Sequence, residues 1–122
     1  MKNLFGFLPD KMKAKYHVKG ISKVVVAITS VIKPALTIID GFVAMEGRGP
    51  SNGSPVQMNL IIAGKDGVAT DATGCRVMGM DPHKIKHIMK ANEKGLGNID
   101  NIHILGEKLE SFARQFKPAK FL

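Results

Sequence analysis

The sequence is poor in cysteine and in aromatic residues, and it contains no long apolar run. Cys75 is the only cysteine among the 122 residues, which excludes an internal disulfide and an iron–sulfur cluster held by this chain alone. The longest apolar run, VVVAITSVI, lies between Lys23 and Lys33 and is shorter than the roughly 18 residues that a membrane-spanning helix needs. The first residues show no signal-peptide pattern. We therefore expect a cytoplasmic protein without a membrane segment.

Acidic residues are also scarce, since 10 of them stand against 18 lysines and arginines and leave a net charge of +8. Within the first 23 residues the only acid is Asp10, against these lysines: Lys2, Lys11, Lys13, Lys15, Lys19 and Lys23. Such a basic face attracts acidic partners or nucleic acid. However, tryptophan is absent and aromatic residues make up 6%. Because we find no helix-turn-helix, zinc finger or aromatic-rich strand, nucleic acid is not the expected partner.

Length and composition indicate one domain over residues 1–122, because a chain of this size with 44% hydrophobic residues can bury a single core. The residue pattern predicts helices over 21–33, 67–78, 81–94 and 107–116, and strands over 35–39, 56–63 and 101–105. The first helix is ambiguous, since its β-branched residues also suit a strand. The alternation predicts an α/β fold with a layered, largely parallel or mixed sheet flanked by helices.

Three carboxylates lie at or between the first two predicted strands. Asp40 ends the first strand, Asp66 follows the second, and Glu46 lies in the loop between them. Ligands bind outside the carboxyl ends of parallel strands. We therefore expect the three side chains to share one edge of the sheet, as ligands of a divalent metal ion or as an acid and a base. The alternative is local, with Asp40 in a turn and Asp66 as a helix cap.

A fourth acid, Asp71, shares a helical face with the apolar residues Val68, Ala72 and Cys75. A carboxylate among apolar neighbours needs a partner, since burying an unpaired charge is costly. We expect a lysine, backbone amides, a metal ion or a ligand against it. The alternative is a position at the rim of the core.

The loop between the two strands reads MEGRGPSNGSP from Met45. Gly47, Gly49 and Gly53 let backbone amides converge, and Arg48 adds a donor fork suited to phosphate or carboxylate. The loop lacks the Lys-Ser/Thr ending of a P-loop and the GxGxxG spacing. A rigid surface loop is therefore the alternative to an anion site.

The histidines and the cysteine are weaker candidates. His83 and His87 have the spacing of a metal-binding pair, but Ile85 and Ile88 mark the buried side of that helix, so we predict that both histidines face solvent. Cys75, in the middle of an apolar arc, is predicted to be a small buried hydrophobe rather than a nucleophile.

Four stretches, KNLFGFLPDKMKAKYH, LTIIDGFVAMEGRGPSNGSP, LIIAGKDGVATDATGCRVMGMDP and EKGLG, together resemble the family known as domain of unknown function 362. The segments DG-x-x-x-MEG-x-GP and AGKD-x-VA-x-D are the most specific parts of this resemblance. The family pattern falls on Lys2, Asn3, Gly6, His17, Asp40, Gly41, Glu46, Gly47, Gly49, Pro50, Gly53, Gly64, Asp66 and Asp71. Because the pattern includes the acids, they are stronger site candidates than His83 and His87. The pattern also adds His17 to the candidate ligand-binding residues.

The resemblance brings no settled activity with it. Many family members carry cysteine-rich, ferredoxin-like segments, which implies a redox setting and a ferredoxin-like domain or subunit as a partner. Family domains also extend further towards the N-terminus, so the resemblance implies that residues 1–122 correspond to the C-terminal portion of the domain.

Whether the protein is an enzyme is left open by its sequence. One hypothesis is an acidic metal- or anion-binding site of an iron–sulfur-linked redox enzyme, with Asp40, Asp66 and Asp71 as catalytic residues. Its metal ligands would be Asp40, Glu46 and Asp66, and its other ligand-binding residues Gly47, Arg48, Gly49, Gly53 and His17. The second is a non-catalytic binding or scaffold module with a basic face for an acidic partner or nucleic acid. A composite active site shared with further polypeptide, or a homo-oligomer, is also open.

Overall fold

The computed structural model describes residues 1–119, apart from the side chains of residues 12–14, 17 and 19. The helices are α1 (Asp10–Lys19), α2 (Ile21–Val31), α3 (Gly67–Val77) and α4 (Lys86–Glu93), and the strands are β1 (Thr37–Arg48) and β2 (Asn52–Gly64). Short 3-10 turns cover Lys2–Phe7, Pro82–Lys84 and Leu109–Ser111. The fold is mixed α/β. Within residues 1–119, no helix combines the length and the apolarity needed to cross a membrane.

Helices α2 and α3 confirm two of the sequence predictions. Helix α2 buries Val25, Val26 and Thr29, and it ends before Pro34, which disfavours helical geometry at the residue before it. Helix α3 begins directly after Asp66, whose side chain accepts hydrogen bonds from the first free amides. The prediction has no element before residue 21, where the structure has the Lys2–Phe7 turn and α1.

The predicted parallel arrangement of the sheet is not confirmed. Strands β1 and β2 pair antiparallel and form a two-stranded sheet in the described part of the chain. Both strands are longer than predicted, because the glycine-rich loop is itself extended: Gly47 pairs with Gly53, and Arg48 pairs with Asn52. Only residues 49–51 remain for the turn. Antiparallel strands can be joined by such a short turn, whereas parallel strands need a crossover of about a dozen residues or more.

The helix predicted over residues 81–94 is present but divided. Asp81 caps its start and Pro82 occupies the first position, as predicted from the Asp-Pro pair. The chain then makes one 3-10 turn and becomes extended at Ile85, with φ −91° and ψ 102°. Helix α4 starts after this residue, so the first turn and α4 are separate elements.

Two predictions for the last quarter of the chain are wrong. Residues 101–105 form no strand and residues 107–116 form no α-helix, although Leu109–Ser111 makes one 3-10 turn. The apolar residues of this stretch pack under the sheet without forming an α-helix. Phe116 inserts beside Met58 and Val77, and the amides of Arg114 and Phe116 donate to the carbonyls that end α3, at 2.9 and 3.1 Å.

The core has two parts. The larger lies between α2, α3, α4 and the segment that follows α4, and comprises Met1, Val25, Val26, Val68, Ala72, Cys75, Ile88, Ala91 and Ile99. The smaller lies under the sheet and comprises Met58, Val77 and Phe116. The inner face of the hairpin packs on α3, and among the helices of residues 1–119 only α3 contacts the sheet.

Ile88 tests the larger core. Its side chain is 2% exposed, so Ile88→Ala should lower the free energy of unfolding by about 3 kcal/mol, through lost burial and the cavity left behind. Leu105 is 83% exposed, so Leu105→Ala should change the free energy of unfolding by less than about 0.5 kcal/mol. Urea unfolding followed by circular dichroism measures both. Equal losses in the two variants would contradict this placement of the core.

Candidate functional site

A cavity of about 630 Å³ lies at the start of α3. It is lined by the first residues of the chain, the start of β1, the segment from Lys65 to Val68, and the pair Gly95–Leu96. All four stretches that carry the family resemblance therefore contribute to one cavity, although they are far apart in the sequence. We call it the α3 pocket.

The polar lining of the α3 pocket contains both signs of charge. Its polar and charged side chains include Lys2, Asn3, Lys33, Lys65, Asp66 and Asp71. Lys65 and Asp66 are adjacent because β2 ends at Gly64 and α3 begins at Gly67. Asp71 follows one helical turn later, and Lys33 comes from the segment that joins α2 to β1.

Asp66 is held entirely by backbone donors. Its Oδ1 accepts hydrogen bonds from the amides of Val68 at 2.8 Å and Ala69 at 3.0 Å. Its Oδ2 accepts one from the amide of Asn98 at 2.9 Å, which links the start of α3 to the loop after α4. Gly97 makes this approach possible, because a Cβ there would collide with the Asp66 carboxylate and with Val68. The carboxylate is thus both a helix cap and a tertiary connection.

Asp71 lies on the buried side of α3, as its periodicity predicts, with 17% of its side chain exposed. The amino group of Met1 lies 2.9 Å from its Oδ2. Asp66 and Asp71 both line the α3 pocket, so the structure brings together two of the three expected catalytic acids.

The three pocket lysines have no such partners. In residues 1–119, no ion pair involves Lys2, Lys33 or Lys65, and all three are exposed. The acidic groups of the pocket accept hydrogen bonds from the protein, whereas the lysine ammonium groups are free to meet a ligand. The uncompensated charge of the pocket is positive.

Asp40 lies elsewhere, on the outer face of the hairpin. It is opposite Ile61, and its Oδ1 accepts a hydrogen bond from the amide of Phe42 at 2.9 Å. The register of the strands shifts between Gly41 and Val43, so Asp40 stabilises this bulge locally. It does not line the α3 pocket.

Glu46 lies near the other end of the hairpin, about 20 Å from Asp40, since the two residues are six positions apart along β1. Its Oε2 accepts a hydrogen bond from the amide of Lys117 at 3.0 Å, and its Oε1 lies 3.2 Å from Lys117 Nζ. The expectation that Asp40, Glu46 and Asp66 converge is wrong, because it assumed parallel strands. Among the described side chains, no three His, Cys, Asp or Glu residues are placed to share a metal ion.

The glycine-rich loop is the tip of the hairpin. Gly47 has φ +78°, a conformation that favours glycine, and its amide donates to the carbonyl of Lys117 at 3.1 Å. Arg48 and Gly49 are exposed and Gly53 is half-buried opposite Gly47. The tip is remote from the α3 pocket. The side chain of His17 lies outside the described part of the structure.

His87 is a residue that sequence reasoning placed wrongly. It is half-buried rather than solvent-facing. Desolvation lowers the pKa of its imidazole, and the positive charges of the Met1 amino group and Lys2 lower this pKa further, whereas the Asp71 carboxylate raises it. His83 is exposed as predicted, with its Nε2 2.9 Å from Oδ1 of Asp100. The sequence signal for His87 was its four-residue spacing from His83.

Cys75 is buried, as predicted. Burial and the nearby Asp71 carboxylate raise the pKa of its thiol to about 11, against a smaller opposing effect of Arg76. The thiol is protonated at neutral pH and is therefore a poor nucleophile and metal ligand.

Lys2, Asn3, Lys33 and Lys65 are pocket residues that were not among the predicted site residues. Lys2 and Asn3 were part of the family resemblance, which was the available signal for them. Lys65 is the lysine of the AGKD segment of that resemblance, whereas no sequence signal distinguished Lys33 from solvated lysines.

Asp66→Ala tests the tertiary role of this carboxylate. The variant loses a helix cap and leaves the amide of Asn98 without its acceptor, so the free energy of unfolding should fall by about 2 to 3 kcal/mol. Asp81→Ala is the matched control, because Asp81 caps one short turn through a single bond to the amide of His83, and it should cost about 1 kcal/mol or less. Chemical unfolding measures the difference. Equal costs would show that the connection to Asn98 contributes nothing.

Glu46 makes the stability of the folded protein depend on pH. The hydrogen bond from the Lys117 amide lowers the pKa of Glu46, burial opposes this, and the Lys117 ammonium lowers it further. Because the folded pKa lies below the unfolded value, the stabilisation is complete above about pH 4.3 and disappears as the pH falls through the folded pKa.

Glu46→Gln should therefore lower the melting temperature at pH 7, and this difference from the wild type should shrink as the pH approaches 3. Glu93→Gln, at an exposed carboxylate for which no ion pair is described, should have little effect at either pH. A difference for Glu46→Gln that stays constant with pH would contradict the account.

Comparison with known proteins gives one family and one similar chain. Residues 1–76 match the family described as "Domain of unknown function (DUF362)". Over 102 residues, 79% of this chain, the sequence is 34% identical to a thylakoid-associated protein of Synechocystis sp., of which the match covers 32%. The chain thus spans about a third of the length of this curated relative. No solved structure matches it. Because the family match includes more than half of the residues and contains the lysines, asparagine and acids of the α3 pocket, the chain belongs to the DUF362 family.

Proposed function

We propose that the α3 pocket binds a small anionic ligand that carries a phosphate or carboxylate group. The observation that carries this proposal is the division of charges in the pocket. Asp66 is occupied by three backbone amides and Asp71 by an amino group, whereas Lys2, Lys33 and Lys65 have no ion pair within residues 1–119. Free ammonium groups around a concave surface are typical anion binders.

The size of the pocket fits a small molecule. A volume of about 630 Å³ falls in the range of about 300 to 1,000 Å³ that is common for ligand sites. Asn3 adds an amide that can donate to a phosphate or carboxylate oxygen. The apolar lining includes Leu4, Leu36, Ile38 and Leu96, which suits a ligand with an anionic group and an apolar part.

A metal-centred reaction has less support from the arrangement of donors. The predicted ligands Asp40, Glu46 and Asp66 lie in three separate places, and each accepts a hydrogen bond from a backbone amide. The anion site at the glycine-rich tip has support only from Arg48, which is exposed there.

The partial match to the relative limits what can be proposed about the activity of a whole family protein. Because the match covers about a third of the Synechocystis protein, the activity of that whole relative is not assigned to the α3 pocket. The redox role and the ferredoxin-like partner remain predictions from the family resemblance. So does the assignment of residues 1–122 to the C-terminal portion of the family domain.

Phosphate binding tests the proposal directly. Inorganic phosphate should raise the melting temperature in a saturable way, compared with chloride at the same ionic strength, because a ligand that binds the folded state stabilises it. A parallel series with citrate separates a preference for phosphate from one for carboxylate.

Lys65→Gln should weaken the effect about tenfold in midpoint concentration, since a charge-assisted contact is worth about 1.5 kcal/mol or more. Lys84→Gln is the matched control, because Lys84 is an exposed lysine outside the pocket. No saturable rise with either anion, or an equal effect of the two substitutions, would contradict the proposal.

A second candidate function is docking of the basic N-terminal face on an anionic surface. The relative's name describes that protein as thylakoid-associated, and on α1 of this chain Lys11 and Lys15 are exposed. The side chains of Lys13 and Lys19 lie outside the described residues. In this proposal the chain binds vesicles that contain anionic lipids. Its affinity for them should fall steeply as the salt concentration rises. Cytoplasmic localisation remains a prediction that cell fractionation tests.

A further inference from the structure

A second cavity, of about 720 Å³, lies between β2 and the segment 101–107. Residues Asn59 to Gly64 of β2 form one wall, and Asn101 to Glu107 form the other. Helix α3 contributes Ala69, Thr70, Thr73 and Val77 to the lining. We call this cavity the β2 groove. It shares Lys65 and Asp66 with the α3 pocket at one end and otherwise has its own walls.

Both walls of the β2 groove carry unpaired main chain. Strand β2 pairs with β1 along one edge, and within residues 1–119 no strand pairs with its other edge. On the opposite wall, no hydrogen bond is described for the amides of residues 103–107. Unpaired donors and acceptors along a strand edge are a template for another strand.

The opposite wall also has the sequence of a strand. Residues 101–105 read NIHIL, an alternation of polar and β-branched residues that predicts a strand. In the structure this segment forms neither a helix nor a strand, and no hydrogen bond is described for the amides of residues 103–105. A strand sequence that lacks its neighbour is the expected result if the groove is the place of a further strand.

The volume of the groove fits one strand. With a rise of 3.3 Å, a strand spacing of 4.8 Å and a layer spacing of 10 Å, one strand residue occupies about 160 Å³. The cavity of about 720 Å³ therefore holds about four to five residues, close to the usual strand length of about five to six. Inserted there, a strand would turn alternate side chains towards α3.

We propose that the β2 groove binds one extended polypeptide segment, which pairs with β2 on one side and with residues 103–105 on the other. The sequence of this segment corresponds to the part of the Synechocystis relative that lies outside the match. This chain corresponds to 32% of the Synechocystis relative, so such polypeptide amounts to about two thirds of that protein. The inference does not rest on the anion-binding proposal, because it concerns the main chain of different residues.

The chemistry of the groove defines the segment that it recognises. Ala69, Thr73 and Val77 of α3 are buried or half-buried, and they favour a segment with small or apolar residues at every second position. The pairing itself uses neutral amides and carbonyls. Binding should therefore depend weakly on salt, unlike the docking of a basic face.

Peptides and hydrogen exchange test this proposal. The probes are overlapping synthetic peptides of about 12 residues, twice a usual strand length, that cover the part of the Synechocystis relative outside the match. At least one should slow amide exchange in both walls, over residues 59–64 and over residues 103–107. Protection of one wall alone, or of neither by any peptide, would overturn the proposal. So would protection of both walls in the peptide-free protein with dimers in light scattering, because a second copy would then fill the groove.

Proline substitutions at His103, Ile104 and Leu105 provide the second measurement. Neighbouring residues of a strand point their amides to opposite sides, so the effect on peptide affinity should alternate. Either Ile104→Pro, or the pair His103→Pro and Leu105→Pro, should weaken binding up to about tenfold, the value of one hydrogen bond. These positions lie outside the helices and strands, and melting temperatures close to the wild type verify the fold. Equal effects at all three positions would overturn strand pairing.

Discussion

The carboxylate of Asp66 is the interaction on which the arrangement of this protein depends. It accepts two amides at the start of α3 and one from Asn98, 32 residues further along the chain. This connection fixes the loop after α4 against the end of β2, which places Gly95 and Leu96 in the wall of the α3 pocket. It also fixes the direction in which the chain leaves towards residues 101–107, the far wall of the β2 groove. One side chain thus helps to place one wall of each cavity.

The hairpin imposes the second constraint. Because β1 and β2 are antiparallel, residues close to the turn lie far from the start of α3, and Glu46 is separated from the pocket by most of the length of the sheet. Glu46 instead holds Lys117 and, with the pairing of Arg114 and Phe116 to the end of α3, secures the C-terminal segment under the sheet. Acids that are neighbours in the family pattern therefore serve different parts of the molecule. Asp40 stabilises a bulge, Glu46 the C-terminal segment, and Asp66 a helix start.

The sequence predicted what short-range chemistry determines. Pro34 marks the end of α2, Asp66 the start of α3, and the Asp81-Pro82 pair the next turn, because each effect acts within about one helical turn. The direction of the strands was not predictable in this way, since MEGRGPSNGSP suits both a long loop and the tip of a hairpin. Residues 101–105 have strand propensity, but a strand also needs a neighbour, and propensity contains no information about that. The lysines of the α3 pocket were missed for a similar reason, because convergence of Lys2, Lys33 and Lys65 is a property of the fold.

The proposed ligand site depends on the positive charge of the α3 pocket, which the engaged carboxylates leave free. Amide chemical shifts recorded by nuclear magnetic resonance during a titration with inorganic phosphate test it most directly. The account predicts that the largest changes occur at residues 65–68 and at Gly95 and Leu96, with a common midpoint. Changes centred on the hairpin tip around Arg48, or spread over the lysines of α1 without saturation, would contradict it.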